Sequence, residues 1–317
     1  QKGLKTFIFW HFHDLLTKVP SGIEKSVAFS TFEIDKLKPE EKSALQGFDK
    51  VCTANKFHTE VLKDSGLSAV GPIPHAYKLL PTDKSPSVKD DSPADVWNQV
   101  TGIKFNPDTL FLSAAGKYEY RKGYFKLIEA LSTLDYPVAL IAFWHNPFII
   151  DNYPYGDIVY YNLEPVVNNS ALKIFRKNNF HLLLMPPAPS RFELHGALAR
   201  AHYFIAPSSA EGWNLPLFEM MSVGMPCIAT RCPGHKDYYP KDSILEIPVK
   251  EKELANDGKF FHNYGMWDRV DVENIRFAIN HAIEQIDNRK TIGTKHQKAV
   301  EKFSWQQSAK QILELMK

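Results

Sequence analysis

Two carboxylates eight residues apart, Glu211 and Glu219, stand in the part of this chain best equipped for chemistry. Glu211 lies in a polar loop that follows the apolar run Tyr203-Phe-Ile-Ala206, and Glu219 lies inside a short helical pattern which that loop opens. Pro216 suits the first helical position, where its missing N–H would be unpaired anyway, and Asn214 just before it is a good cap. A helix start of this kind offers Leu215 and its neighbours as N–H donors, with a partial positive charge, to an anion. Glu219 can accept hydrogen bonds from vicinal hydroxyls such as those of a ribose, while Glu211 faces whatever hangs from the anion. The arrangement suggests a pocket for a nucleotide sugar.

Breaking the bond between an anomeric carbon and a diphosphate places negative charge on the leaving phosphate, and something positive must meet it. One solution is a metal ion held by Asp-x-Asp, and this chain has no Asp-x-Asp. Fixed cations and helix-start N–H groups in a dry cleft are the alternative. Gly116-Lys117-Tyr-Glu-Tyr-Arg121-Lys122-Gly123 supplies them, between a predicted strand and a predicted helix, where open α/β sheets bind ligands. Taken alone, Lys117, Arg121 and Lys122 read as an ordinary solvated loop. Their place at a strand end upstream of the glutamate pair favours the phosphate.

The elements that must position these groups alternate between strand and helix. Strands are expected at 6–10, 26–32, 50–53 and 69–73, with helices at 39–45 and 55–65, the latter capped by Asn55 and closed by Gly66. Pro81 to Pro107 is rich in Pro, Ser, Asp and Lys and reads as a linker. Beyond it come strands at 109–114, 138–143, 181–185, 203–206 and 227–230. Helices are expected at 124–133, 169–178, 193–201 and 216–223. The strands are short and almost wholly apolar, as in a parallel sheet buried on both faces. Two further helical patterns, 272–286 and 304–316, close the chain. The fold class is therefore α/β.

At 317 residues, 44% hydrophobic and 23% charged, the chain has room for two globular domains. A formal net charge of +2 gives no global field for nucleic acid. No apolar run approaches the ~18 residues of a membrane span, although peripheral membrane contact stays open. Three cysteines, Cys52, Cys227 and Cys232, read as reduced thiols of a cytoplasmic protein, with a Cys227–Cys232 bridge as the minor reading.

The order Tyr203–Ala206, Pro207-Ser208, Glu211-Gly212, Leu215-Pro216, Glu219, Gly224-x-Pro226, Cys227–Thr230 resembles the E-x-x-x-x-x-x-x-E donor site of retaining GT-B glycosyltransferases, the glycosyl transferases group 1 type. Gly116…Lys122-Gly123 resembles that family's phosphate clamp, with Lys117 where Arg is usual; Lys gives a point charge without the Arg fork. The resemblance implies two Rossmann-like domains facing a cleft. An acceptor-side domain would span 1–80, the linker 81–107, and a donor domain 108–303. Phe303-Ser304-Trp305 matches the motif before a final helix, 304–317, that crosses back onto the first domain. Only 116 residues precede Lys117, so that domain reads as shortened. Phe29–Glu33, Asp49–Phe57 and Ile73-Pro74-His75 follow the family's acceptor-domain order.

The implied activity is transfer of a hexose-type sugar from a UDP-, GDP- or ADP-linked donor to an unassigned carbohydrate, lipid-linked or protein acceptor. No metal and no cofactor are implied, the nucleotide sugar being a co-substrate, and retention is expected. Glu219 would hold the ribose and Glu211 the transferring sugar. Lys117, Lys122 and the Asn214–Pro216 backbone would hold the diphosphate, Gly116 and Gly212 would also line the donor site, and the base would lie near Pro186–Pro189. On the acceptor side His11, His13 and Glu33 are candidates. The alternative is a nucleotide-sugar-binding subunit, weak alone, that needs a partner chain to complete the acceptor side.

Overall fold

The computed structural model describes residues 6–9, 19, 21–77, 92–145, 155–168, 172–241 and 243–317. The amino-terminal unit runs β1 (Thr6–Phe9), β2 (Ser26–Phe29), α1 (Pro39–Leu45), β3 (Lys50–Cys52), α2 (Lys56–Asp64) and β4 (Ala69–Val70). Its four strands pair in parallel in the order β1-β2-β3-β4. Asn55 caps α2, its side chain accepting from the His58 N–H, as its residue type predicts. His11 and His13 lie outside the described residues, as does 81–91 of the expected linker.

Residues 92–107 of the expected linker are not irregular throughout. They form α3 (Pro93–Thr101), with Pro93 at its start and Gly102 left-handed at its end, and Trp97 is buried with its indole N–H on the Arg200 carbonyl at 3.2 Å. Then follow β5 (Leu110–Lys117), α4 (Tyr124–Ser132), β6 (Val138–His145), α5 (Tyr155–Tyr160), β7 (Glu164–Asn168), β8 (Lys173–Lys177) and β9 (Phe180–Leu184). The helix expected at 169–178 is wrong: 173–177 is a strand, paired antiparallel with both β7 and β9. Ile174 and Phe175 are its buried residues, and Asn178, at φ 52°, turns the chain into β9.

The remaining elements are α6 (Arg191–Leu198), β10 (Tyr203–Ala206), α7 (Leu215–Ser222), β11 (Cys227–Thr230), β12 (Glu246–Ile247), β13 (Lys252–Leu254), β14 (Met266–Asp268), α8 (Val272–Glu284), α9 (Arg289–Val300) and α10 (Trp305–Leu315). Ser304 caps α10, which touches the amino-terminal unit through a 2.7 Å bond from the Ser308 hydroxyl to the Pro74 carbonyl.

The large sheet has the order β12-β11-β10-β5-β6-β9-β8-β7 and is mixed, parallel except for the β7-β8-β9 edge. From β5 the chain builds outward through β6 and β9, then returns to add β10, β11 and β12 on the other side. That reversal lies between β5 and β10, and open α/β sheets bind ligands in the crevice beyond the strand ends at such a point. The two loops that open there are the ones that carry the basic run and the glutamate pair. Apolar side chains from β5, β6, β10 and β11 are almost fully buried and fix both strand ends.

Candidate active site

The loop after β5 closes as a single 3-10 turn, Tyr120–Lys122, before Gly123 starts α4. A Cβ on Gly123, at φ 68°, would stand 2.3 Å from the Pro207 carbonyl oxygen, so only glycine lets the two loops approach so closely. The loops are sewn together by a 2.7 Å bond from the Ser209 N–H to the Arg121 carbonyl.

Glu211 is buried at this seam. One carboxylate oxygen accepts from Lys122 Nζ at 2.6 Å and the Ser208 hydroxyl at 2.8 Å; the other accepts from the Arg121 guanidinium at 2.9 Å. Burial opposes ionisation, but the two adjacent cations win and hold the Glu211 carboxyl well below the usual carboxylate range. The other guanidinium nitrogen of Arg121 lies 2.8 Å from Glu119 and 3.4 Å from Glu33 of the amino-terminal unit. Glu33, largely because it is buried, has its pKa pushed up. Lys117 is half-buried and 4.0 Å from Glu119.

Helix α7 begins one residue earlier than expected. Leu215 is its first residue and Pro216 its second, with Asn214 in the left-handed region at φ 67° and its side chain accepting from the Leu217 N–H at 3.3 Å. Pro216 has no N–H, and those of Leu217 and Phe218 are taken by Asn214, so Leu215 is the backbone donor left in that turn. The cap is held from behind by His235. The His235 Nδ1–H donates to the Thr230 carbonyl at 2.7 Å, leaving Nε2 to accept from Asn214 at 3.1 Å. Burial pushes this imidazole down to about 4, which keeps it neutral for that role.

Glu219 lies one turn into α7, buried, with Arg191 at 2.5 Å on one oxygen and His195 Nε2 at 2.9 Å on the other. The carboxylate accepts, so Nε2 carries the hydrogen and Nδ1 accepts from the Tyr77 hydroxyl at 2.9 Å. A carboxylate has about four acceptor sites. Two are used, and two remain.

A cleft of ≈ 520 Å³ opens at the switch point, lined by Gly116, Trp144, His145, Met185 to Arg191, Leu215, Pro216 and Glu219. Four sequence candidates, Gly116, Leu215, Pro216 and Glu219, share this cleft. Glu211, Gly212 and Lys122 lie behind it in the seam, and Gly116 joins the two regions: a Cβ there would be 3.8 Å from Lys122 Cε and 3.9 Å from Pro216. Gly212 faces the other unit. A Cβ on it would stand 2.6 Å from Thr31 Cγ2, and its carbonyl accepts from Asn55 Nδ2 at 2.6 Å. A second cavity of ≈ 580 Å³, lined by Leu110, Tyr136, His202 and Ile283 among others, lies at the opposite end of the sheet.

Solved structures share this fold. HepE of Anabaena, solved with UDP-glucose, superposes with a TM-score of 0.60 at 15% identity, over 92% of this chain and 71% of its own. Sucrose-phosphate synthase of Thermosynechococcus elongatus superposes with a TM-score of 0.63 at 15% identity, over 98% and 72%. The fold is GT-B. Residues 184–257 of this GT-B chain match the family model described as glycosyl transferases group 1, a segment that takes in the whole glutamate motif. The putative glycosyltransferase 41 of Sulfolobus islandicus filamentous virus (isolate Iceland/Hveragerdi) is 31% identical over 94 residues, 30% of this chain and 27% of that protein. The chain thus spans about a quarter of the length of this curated relative.

Arg191, His195 and His235 were not expected at the site, and Arg121, expected with the lysines as a cation for the phosphate, is instead bonded to Glu211, Glu119 and Glu33. A basic residue at 191 and a histidine at 195, one helical turn apart ahead of Glu219, were the signal available. Among the described residues all three cysteines are free and buried, no group of three His, Cys, Asp or Glu side chains could hold a metal ion, and no helix is long and apolar enough to cross a membrane.

Proposed function

We propose that this chain transfers a hexose-type glycosyl group from a nucleotide-diphosphate sugar, UDP-, GDP- or ADP-linked, without a metal ion and with retention at the anomeric carbon. The reading is supported above all by one observation: the spare acceptor capacity of Glu219, the Leu215 N–H, the bare backbone of Gly116 and the Lys122 stem converge at the switch point of the sheet. The ribose hydroxyls donate to Glu219 and the diphosphate lies along Gly116 and the α7 start. Lys122, Lys117 and Leu215 N–H meet the charge that grows on the leaving phosphate. Glu211, held ionised, faces the transferring sugar. As the bond from the anomeric carbon to the phosphate oxygen breaks, the acceptor oxygen bonds to that carbon on the same face, and its proton passes to the released phosphate.

The test is a panel of UDP-, GDP- and ADP-sugars. A donor should raise the melting temperature, since it binds the folded state alone, and nucleoside diphosphate should be released, with the product keeping the donor's anomeric configuration by NMR. No stabilisation by any member would overturn the reading. Binding without release would assign the chain instead to a nucleotide-sugar-binding subunit.

A further inference from the structure

Lys122 cannot serve a diphosphate from where it sits. Its ammonium is 2.6 Å from Glu211, and a phosphate beside Gly116 must draw it away from a carboxylate that is only 3% exposed. A buried carboxylate that loses its cation is strongly destabilised unless another partner stays. Arg121 is that partner. It grips the other oxygen of Glu211 at 2.9 Å, is itself fixed by the Ala210 carbonyl at 3.0 Å, and is buried, with Glu119 and Glu33 on its far nitrogen.

Resting on the donor-binding reading above, we propose that Arg121 is a positioning residue. It carries the counter-charge of Glu211 while Lys122 moves to the donor diphosphate, so that Glu211 stays ionised and in place throughout. Arg121 itself touches no substrate. The groups that face Glu211 fit this division of labour. Lys122 and Arg121 come from the turn after β5, Ser208 from its own loop, and His235, its pKa lowered to about 4 by burial and so neutral at pH 7, from the segment after β11. Glu33 and Glu119 lie beyond Arg121, and Tyr124, Tyr238 and Cys232 are held protonated by burial. None of these can replace a guanidinium as a permanent cation at the second oxygen.

The prediction is a proton linkage. In Arg121→Gln, binding UDP, or whichever of UDP, GDP and ADP stabilises the wild-type chain, leaves Glu211 with Ser208 alone, so the carboxyl takes up a proton. Affinity at pH 7 should fall by roughly 30- to 500-fold, the upper end set by protonating a carboxyl of ordinary pKa about 4.3 at that pH. Relative to wild type it should recover about tenfold per pH unit on acidification. Titration calorimetry in two buffers of different ionisation enthalpy should show uptake of close to one extra proton. Arg121→Gln in a Glu211→Gln background should change neither affinity nor proton uptake, and this neutral pair keeps the question answerable if the single variant does not fold. Wild-type affinity and no extra proton in Arg121→Gln, or an equal loss of affinity in the Glu211→Gln background, would overturn the proposal and leave the donor reading standing. A wild-type chain that binds none of the three nucleotides would overturn the donor reading itself.

Discussion

Replacing Glu219 by alanine should uncouple ribose recognition from diphosphate recognition. The carboxylate is 3% exposed and fixed by Arg191 and His195, which leaves two acceptor sites for two ribose hydroxyls. Hydrogen bonds to a charged group contribute about 1.5–3 kcal/mol each. Losing two at the lower value gives about 3 kcal/mol, or roughly 150-fold in Kd. Calorimetric titration with a nucleoside diphosphate measures this directly, and inorganic diphosphate, which has no ribose, is the control and should bind the variant as it binds wild type. Alanine also strands the fully buried His195 Nε2, so Glu219→Gln, which keeps an acceptor there, should retain more stability than Glu219→Ala. Equal losses for both ligands, or no loss for the nucleotide, would refute the assignment of Glu219 to the ribose.

Three further outcomes follow. Lys122→Ala should lower turnover by about two to three orders of magnitude, the scale for one preorganised stabiliser of developing charge; wild-type turnover in a steady-state assay would remove Lys122 from the chemistry. Treatment with a chelator should leave activity intact, and its loss, restored by a divalent cation, would replace the lysines with a metal. Acid should destabilise the chain from below pH 6.5. Burial holds His58 at about 3 and His235 and His296 at about 4, against 6.5 when unfolded, so between pH 6.5 and about 4 the unfolded state binds more protons and stability falls as pH falls. Thermal melts at pH 7.5 and 5.5 check this, and equal melting temperatures would contradict it.

The part of the fold most legible in the sequence was the part fixed by local rules. Asn55, Asn214 and Ser304 cap helices where their residue types put them, and the strands 203–206 and 227–230 are the apolar runs themselves. Where pairing partners decide, the sequence was harder to read. Residues 173–177 carry a helix-compatible composition but become β8 because β9 and β7 lie on either side of them. Helix α3 was hidden by the Pro- and Ser-rich composition around it, although Pro93 and Gly102 mark both its ends. The candidate site followed the same division. Glu211, Glu219 and Lys122 could be picked from spacing, whereas Arg121 acquires its role by touching residues 33, 119 and 211, a convergence that exists only after folding.

Gly212 marks where the two units press together with no room for a methyl group. The loop that carries Glu211 is therefore wedged against Thr31 and Phe32 and clasped by Asn55, so its position is tied to the amino-terminal unit. Any swing of one unit away from the other would strain this contact, one residue from the buried Glu211 carboxylate.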